Sequence, residues 1–353
     1  MKKLFEPLTI RSIRSKNRIM MSPMCQYCAT DGVPNTWHLV NYGSRAVGGV
    51  GIVMVEATAV EPAGRITPYD LGLYINDTSM FREIARFLKL NGSVPAIQLA
   101  HAGRKASTDA PWNNDEPVFP ESGGWVPVAP NAIPFSESSV TPKELTITEI
   151  QKIEQRFAEA AHKAHTAEFE IVEIHAAHGY LADQFLSPVS NHRTDKYGGS
   201  FENRTRFLTE TVDAVREKWP ENLPLFVRIS ATDWLGPKGW TMADSIKLAK
   251  ILKNHNVDVI DVSTGGILLD VKIPAKPGFQ VPFSRQIKKT GIMTATVGII
   301  YDAVQAEQIL ENNDADIIAI GRELLRDPYW PLHAAKILKE DIVWPLQYKR
   351  AKR

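Results

Sequence analysis

Short apolar runs rich in β-branched residues recur along the chain, and most are followed by a helical pattern carrying its own start signal. Strands are predicted near Arg18–Met21, Gly51–Val55, Val94–Leu99, Glu170–His175, Leu225–Ile229, Val259–Val262, Met293–Val297 and Ile317–Ile320. Strands that alternate with helices build a parallel sheet covered by those helices. Eight such runs favour closure into a (β/α)8 TIM barrel, and residues 1–353 are expected to form it as one domain.

The helices are best defined late in the chain. Thr148 with Gln151, Thr241 with Asp244 and Asp302 with Gln305 sit at capping-box or closely similar spacing. After Thr148, the residues Ile150, Ile153, Phe157, Ala160, Ala161 and Ala164 form one apolar stripe that can lie on the barrel. Asp327 followed by Pro328 reads as N-cap and first helical residue. One stretch breaks this rhythm: Lys105 to Ile147 holds seven prolines and little periodicity. A loop this long in a compact domain is usually functional. Following the third strand, it leaves the C-terminal face, where barrels carry their active sites, and it is expected to hold one short hairpin.

Composition narrows the function. The 353 residues are 44% hydrophobic, with 41 Lys and Arg against 40 Asp and Glu and a formal charge of +1. The signs are interspersed, so nucleic-acid and membrane-surface roles have no electrostatic support. Glu6, Pro7 and Arg11 interrupt any apolar run long enough for a signal peptide, and the strongly apolar stretch Ala46 to Val55 is too short to span a bilayer. Two cysteines cannot build a disulfide framework and fit a reducing compartment; the expected location is the cytoplasm.

In a parallel barrel, polar residues at strand C-termini converge on one mouth although they are distant in sequence. Here the first run ends Ser22-Pro23-Met24-Cys25-Gln26-Tyr27, the third ends Gln98-Leu99-Ala100-His101, and the fourth ends His175-Ala176-Ala177-His178-Gly179-Tyr180. The fifth contains Arg228, the seventh ends Val297-Gly298 and the eighth ends Gly321-Arg322. The last two are where barrels commonly bind phosphate through backbone amides and one cation, although glycines there can equally serve tight turns. The set suits a flat, partly charged, phosphorylated ligand. No Gly-x-Gly-x-x-Gly fingerprint or P-loop is present, which disfavours a dinucleotide held in a Rossmann fold. Cys25-x-x-Cys28 and His175-x-x-His178 invite zinc or dithiol readings, but their spacing and placement fit both poorly, and no metal site is expected. Cys25 also reads as a small buried apolar residue, and the histidines as ordinary loop hydrogen-bonders.

Together these segments make the chain resemble the old yellow enzyme family of ene-reductases, in the bacterial xenobiotic-reductase-like branch with an active-site cysteine. Gln98-Leu99-Ala100-His101-Ala102-Gly103-Arg104-Lys105, Phe185-Leu186-Ser187-Pro188 and Asn191-His192-Arg193-Thr194-Asp195-Lys196-Tyr197-Gly198-Gly199-Ser200 extend the resemblance over essentially the whole chain. It implies an FMN enzyme that takes hydride from NADPH or NADH and gives it to an activated carbon–carbon double bond. Ser22, Pro23, Met24, Cys25 and Ala57 would contact the isoalloxazine, Gln98 and Arg228 its pyrimidine edge, and Gly298, Gly321 and Arg322 the phosphate tail. His175 and His178 would donate to the substrate oxygen, Tyr180 would protonate the α carbon, Tyr27 would contact substrate, and Cys25 would adjust redox potential and fit.

The resemblance also implies a homodimer or homotetramer in which Arg350 of the C-terminal arm reaches the neighbouring site. Iron–sulfur relatives need four thiolates, which two cysteines cannot supply, and RNA-modifying relatives would add a basic helical part. From another class, the alternative is a flavin-free, phosphate-binding barrel lyase or aldolase.

Overall fold

A computed structural model describes residues 1–352. Its centre is a closed barrel of eight parallel strands. In chain order these are β1 (Ile19–Met21), β2 (Ile52–Ala59), β3 (Val94–Ala100), β4 (Ile171–Ala176), β5 (Leu225–Ser230), β6 (Val259–Ser263), β7 (Met293–Thr296) and β8 (Ile317–Ile320). Each strand pairs with the next, and β8 closes on β1 through Ile318↔Ile19, Ala319↔Met20 and Ile320↔Met21. All eight predicted runs are therefore strands of one sheet, with boundaries shifted by a few residues. The largest shift is in β2, which continues to Ala59 through a bulge between Val55 and Ala57.

The covering helices include α1 (Thr36–Val47), α2 (Ser79–Leu90), α3 (Ile147–Thr166), α4 (Leu181–Leu186), α5 (Phe201–Lys218), α6 (Met242–Asn254), α7 (Val281–Lys288), α8 (Ala303–Glu311), α9 (Arg322–Arg326) and α10 (Trp330–Leu338). The whole predicted stripe of α3 is buried, with Ile150 and Ala164 at 0% exposure. Each buried Ile or Phe side chain of that stripe contributes roughly 1.5–3 kcal/mol. Thr241 and Asp302 cap α6 and α8 as the spacing predicts. For α3 the cap is Thr146 in a box with Glu149, two residues before the predicted Thr148 and Gln151. Glu149 also takes Lys143 as an ion-pair partner, which reinforces this earlier box.

Asp327 likewise does not cap a helix that begins at Pro328. It ends α9, and its carboxylate accepts from the Tyr329 N–H at 3.0 Å, so that α10 starts at Trp330. The turn is held against α1, where a Cβ on Gly48 would lie 1.9 Å from the Pro328 carbonyl oxygen.

Two cores result. Outward-facing strand residues pack against the helices. Inside the barrel, Met20, Ile52, Met54, Val94, Ala96, Phe226, Val259 and Ile317 fill the lumen. Its N-terminal end is closed by an unpredicted hairpin, Leu8–Ile10 with Ile13–Ser15, which inserts Leu8 and Ile10 among the residues that start the strands. The long loop after β3 folds as short 3-10 turns with one short antiparallel pairing, in which Thr108 is bridged to Pro117, the Asp109 N–H donates to the Glu116 carbonyl at 2.7 Å and the Val118 N–H to the Ser107 carbonyl at 2.8 Å; further on, Val128–Ala129 pairs in parallel with Lys143–Glu144. No helix of the described residues is long and apolar enough to cross a membrane.

Candidate active site

The C-terminal ends of the strands open on a cavity of about 760 Å³. Of the residues singled out in the sequence, Ser22, Pro23, Met24, Cys25, Ala57, Gln98, His175, His178, Tyr180, Arg228, Gly298, Gly321 and Arg322 all line it. Tyr27 stands beside it with its ring 5.7 Å from the Trp112 ring, and Arg350 is exposed on the 3-10 turn Leu346–Ala351, outside the lining.

One wall is built from β4 and the turn after it. The His175 and His178 rings lie 5.2 Å apart, and the His175 ring lies 4.8 Å from Tyr180, both nearly perpendicular. The Ala177 N–H donates to His175 Nδ1 at 3.2 Å. A backbone amide can only donate, so the neutral ring carries its proton on Nε2. His178 sits in the left-handed region at φ 58°, with its N–H donating to Ser230 Oγ at 2.9 Å and its Nε2 2.6 Å from Ser263 Oγ. Gly179 follows at φ 74°, where a Cβ would lie 2.2 Å from the Gly266 carbonyl oxygen. Burial is the first cause, and Arg228 and Lys105 a further one, holding both imidazoles well below the usual histidine range and therefore neutral. The Tyr180 phenol has no hydrogen-bond partner among the described residues, and burial holds it protonated well above the ordinary tyrosine value.

Opposite, the loop after β1 carries Cys25. Burial first, and the carboxyls of Asp70 and Glu56 next, push its thiol up, so it remains protonated. This loop is tied down by Glu56, the residue at the β2 bulge, whose Oε1 accepts from the Gln26 N–H at 3.0 Å and whose Oε2 accepts from the Tyr42 hydroxyl. The bulge lets Glu56 face α1 while Ala57 lines the cavity. Cys28 points elsewhere, its sulfur 3.7 Å from His38 Nε2.

The floor pairs Gln98 from β3 with Arg228 from β5. Gly298, at φ 122°, turns the chain after β7, and Arg322 opens α9 without an ion-pair partner among the described residues.

Several groups escaped the sequence reading. Ser263, the last residue of β6, and Thr264 just after it lie in the cavity lining, and the Thr264 hydroxyl donates to Gln280 Oε1 at 2.8 Å. A Ser-Thr-Gly-Gly run directly after an apolar strand was the available signal. Lys105 donates to the His178 carbonyl at 2.9 Å and lies 5.1 Å from the Tyr180 ring, and burial pulls its amine down to about 8.

The arrangement fits FMN on the evidence of the groups themselves. Buried Ser22 Oγ has no hydrogen-bond partner among the described residues, an expensive state unless a ligand supplies one, and the Arg228 side chain lies in the same lining. At the opposite edge, Gly298, Gly321 and Arg322, which has no ion-pair partner among the described residues, line a cationic cradle for a phosphate.

Comparisons agree with this geometry. Residues 3–341 match the NADH:flavin oxidoreductase / NADH oxidase family. An NADPH dehydrogenase from Geobacillus thermodenitrificans is 49% identical over 351 residues, covering 98% of both chains. One from Bacillus velezensis is 48% identical over 354 residues, covering 99% of both. Among solved structures, morphinone reductase in complex with tetrahydroNAD superposes with a TM-score of 0.79 at 28% identity, covering 98% of this chain and 93% of that one. A 2-naphthoyl-CoA reductase superposes at 0.85 with 26% identity, covering 96% of this chain and 52% of that longer one. A flavin-free lyase or aldolase is thereby set aside. The chain belongs to the old yellow enzyme family, the NADH:flavin oxidoreductases, and is an FMN-dependent NAD(P)H dehydrogenase.

Proposed function

We propose that the enzyme reduces activated carbon–carbon double bonds in enones, maleimides and nitroalkenes, with nicotinamide and alkene using the same face of the cavity in turn. FMN, when bound, carries the hydride between them. The observation behind this reading is the cluster on the β4 wall: two neutral imidazoles and an unpartnered phenol with ring centroids 4.8–5.2 Å apart.

His175 and His178 hold the substrate's carbonyl or nitro oxygen. Hydride addition at the β carbon places negative charge on that oxygen, so donors already in position strengthen their hydrogen bonds as the charge develops. For His175 the donor is Nε2–H. For His178, with Nε2 turned to Ser263, it is Nδ1–H. Tyr180 gives its proton to the α carbon, and its raised affinity for the proton keeps it loaded at neutral pH. Ser22, Pro23, Met24, Cys25 and Ala57 bear on the flavin ring, and Gln98 and Arg228 on its pyrimidine edge. Gly298, Gly321 and Arg322 bind the phosphate. Tyr27 faces the substrate, and Cys25 acts as a thiol neighbour of the flavin that tunes its potential.

The protein is read as a soluble cytoplasmic homo-oligomer, a dimer or tetramer. Val343 and Leu346 of the arm are 94% and 81% exposed, apolar surface that an adjacent subunit would cover. Arg350, which lies outside its own cavity, would then complete the neighbour's site.

Anaerobic titration with NADPH and with NADH, followed by a panel of enones, maleimides and nitro compounds, tests this function. Flavin that the nicotinamide bleaches and an enone restores is the expected result. Flavin that no member of the panel reoxidises would overturn the substrate class.

A further inference from the structure

Immediately beneath the cavity lies a charged layer that the proposed steps do not use. Glu173 on β4 and Asp261 on β6 are each 0% exposed and flank Arg228 on β5. In the sheet register, Asp261 and His175 are both opposite Arg228, and Gln98 is opposite Glu173. Paired residues point to the same side of a sheet, so all these side chains project into the lumen. Gln98 Nε2 donates to Glu173 Oε1 at 2.8 Å, and Asp261 Oδ2 lies 3.2 Å from Arg228 Nε. Below them is hydrocarbon, including Phe226 and Val259. Above them stand His175, His178 and Lys105, of which only Lys105 can add charge.

This layer is short of hydrogen-bond donors. Among the described residues, Glu173 Oε2 and both Asp261 oxygens have no hydrogen-bond partner, and neither does Arg228 Nε, whose contact with Asp261 lacks hydrogen-bond alignment. Two ionised carboxylates around one guanidinium would leave a net negative charge in a dry lumen, the arrangement least compatible with burial. A proton on one carboxyl removes that charge and supplies a donor to acceptors that lack one. Burial pushes both groups up, Glu173 to about 8 with the charge of Asp261 adding to the rise, while Arg228 pulls both the other way.

We propose that Glu173 and Asp261 form a proton-accepting pair that couples reduction of the flavin to uptake of one proton from solvent. The inference rests on the reading that Arg228 contacts the flavin. Before reduction the layer is neutral: one guanidinium, one carboxylate and one carboxyl. Hydride from the nicotinamide delivers two electrons and one proton to the flavin, leaving oxidised nicotinamide and one added negative charge above Arg228. Like charges about 6 Å apart at an effective dielectric of about 20 raise each other's proton affinity by roughly 10². The remaining carboxylate therefore protonates, and Arg228 is left to balance the flavin alone. When the alkene takes the hydride and Tyr180 supplies the α proton, the added negative charge is gone, the pair gives up its proton and Tyr180 takes one back, so that each turnover consumes one proton. Glu173 and Asp261 act through Arg228 and are positioning residues.

The test counts protons during anaerobic reduction of the holoenzyme by NADPH, in weakly buffered solution with a pH indicator. Wild type is expected to take up about one proton per flavin bleached; either single variant, Glu173→Gln or Asp261→Asn, leaves one carboxylate beside Arg228 and still takes one up, whereas the two combined take up almost none. A reduction-minus-oxidation infrared difference spectrum of wild type should gain a protonated-carboxyl band, so the proposal stays testable even where a variant fails to hold FMN. No uptake in wild type, or uptake that persists in the double variant because the proton goes to the flavin, overturns it. Failure of the flavin reading itself is distinct, since NADPH would then cause no bleaching at all.

Discussion

His178 Nε2 lies 2.6 Å from Ser263 Oγ, a contact between the turn after β4 and the last residue of β6. Ser263 also reaches Gln280 Oε1, at 3.2 Å, but Thr264 supplies that oxygen at 2.8 Å. The Ser263 hydroxyl is therefore free to donate to His178, which leaves the imidazole proton on Nδ1. Ser263→Ala should release this tautomer and slow reoxidation by cyclohexenone roughly fivefold, in line with the loss of one hydrogen bond of about 1 kcal/mol. Stopped-flow traces that match wild type would show that Ser263 does not orient the ring.

Replacing His175 or His178 by Ala removes a donor to the developing oxyanion, and the alkene half-reaction should fall by roughly 10² or more. Tyr180→Phe should separate the halves differently: bleaching by NADPH continues while reoxidation by alkene slows. Equal impairment of both halves would make Tyr180 a binding residue. The proton transfer would then need another source.

The convergence of these residues was legible because each follows an apolar strand and carries its own local motif. Other features were not, for physical reasons. Glu173 and Asp261 lie inside apolar runs, where a period-two pattern cannot say that both sit beside Arg228. The Glu56 bulge is a single extra residue in a strand and leaves no trace in periodicity. Thr146 and Thr148 each precede an acceptor three residues on, and the ion pair of Glu149 with Lys143 is a tertiary feature that the spacing does not carry. The hairpin under the barrel is two three-residue strands, too short for any repeat to register.

Arg322 is the one cation of the proposed phosphate cradle contributed by the end of β8. Arg322→Ala should weaken FMN retention by about one to two orders of magnitude, the loss of a charge-assisted contact worth roughly 1.5–3 kcal/mol. Fluorescence titration of the apoprotein with FMN measures it directly. An unchanged dissociation constant would remove Arg322 from the phosphate site, while the fold, read by circular dichroism, should not alter.

Glu56 gives a pH signature that is independent of turnover. Burial raises its carboxyl from 4.5 to about 8 in the folded protein, even though the Tyr42 hydroxyl and the Gln26 N–H pull the other way. Between those two values the native state holds a proton that the unfolded chain has released, so the number of bound protons is larger in N than in U. The slope of unfolding free energy with pH is then negative, and Glu56 withdraws stability progressively as pH climbs from about 4.5 toward 8. Glu56→Gln keeps the shape of the group but cannot ionise. Its melting temperature relative to wild type should therefore improve steadily from pH 5 to pH 8.5, whatever the offset at pH 5. Near pH 5 the variant is expected to melt lower, because one amide cannot reproduce both acceptor contacts to Gln26 and Tyr42. Parallel melting curves across this range would mean that Glu56 is ionised in the folded protein. In that case the loop bearing Cys25 would be anchored by a carboxylate, and the pull of Tyr42 and Gln26 would outweigh burial.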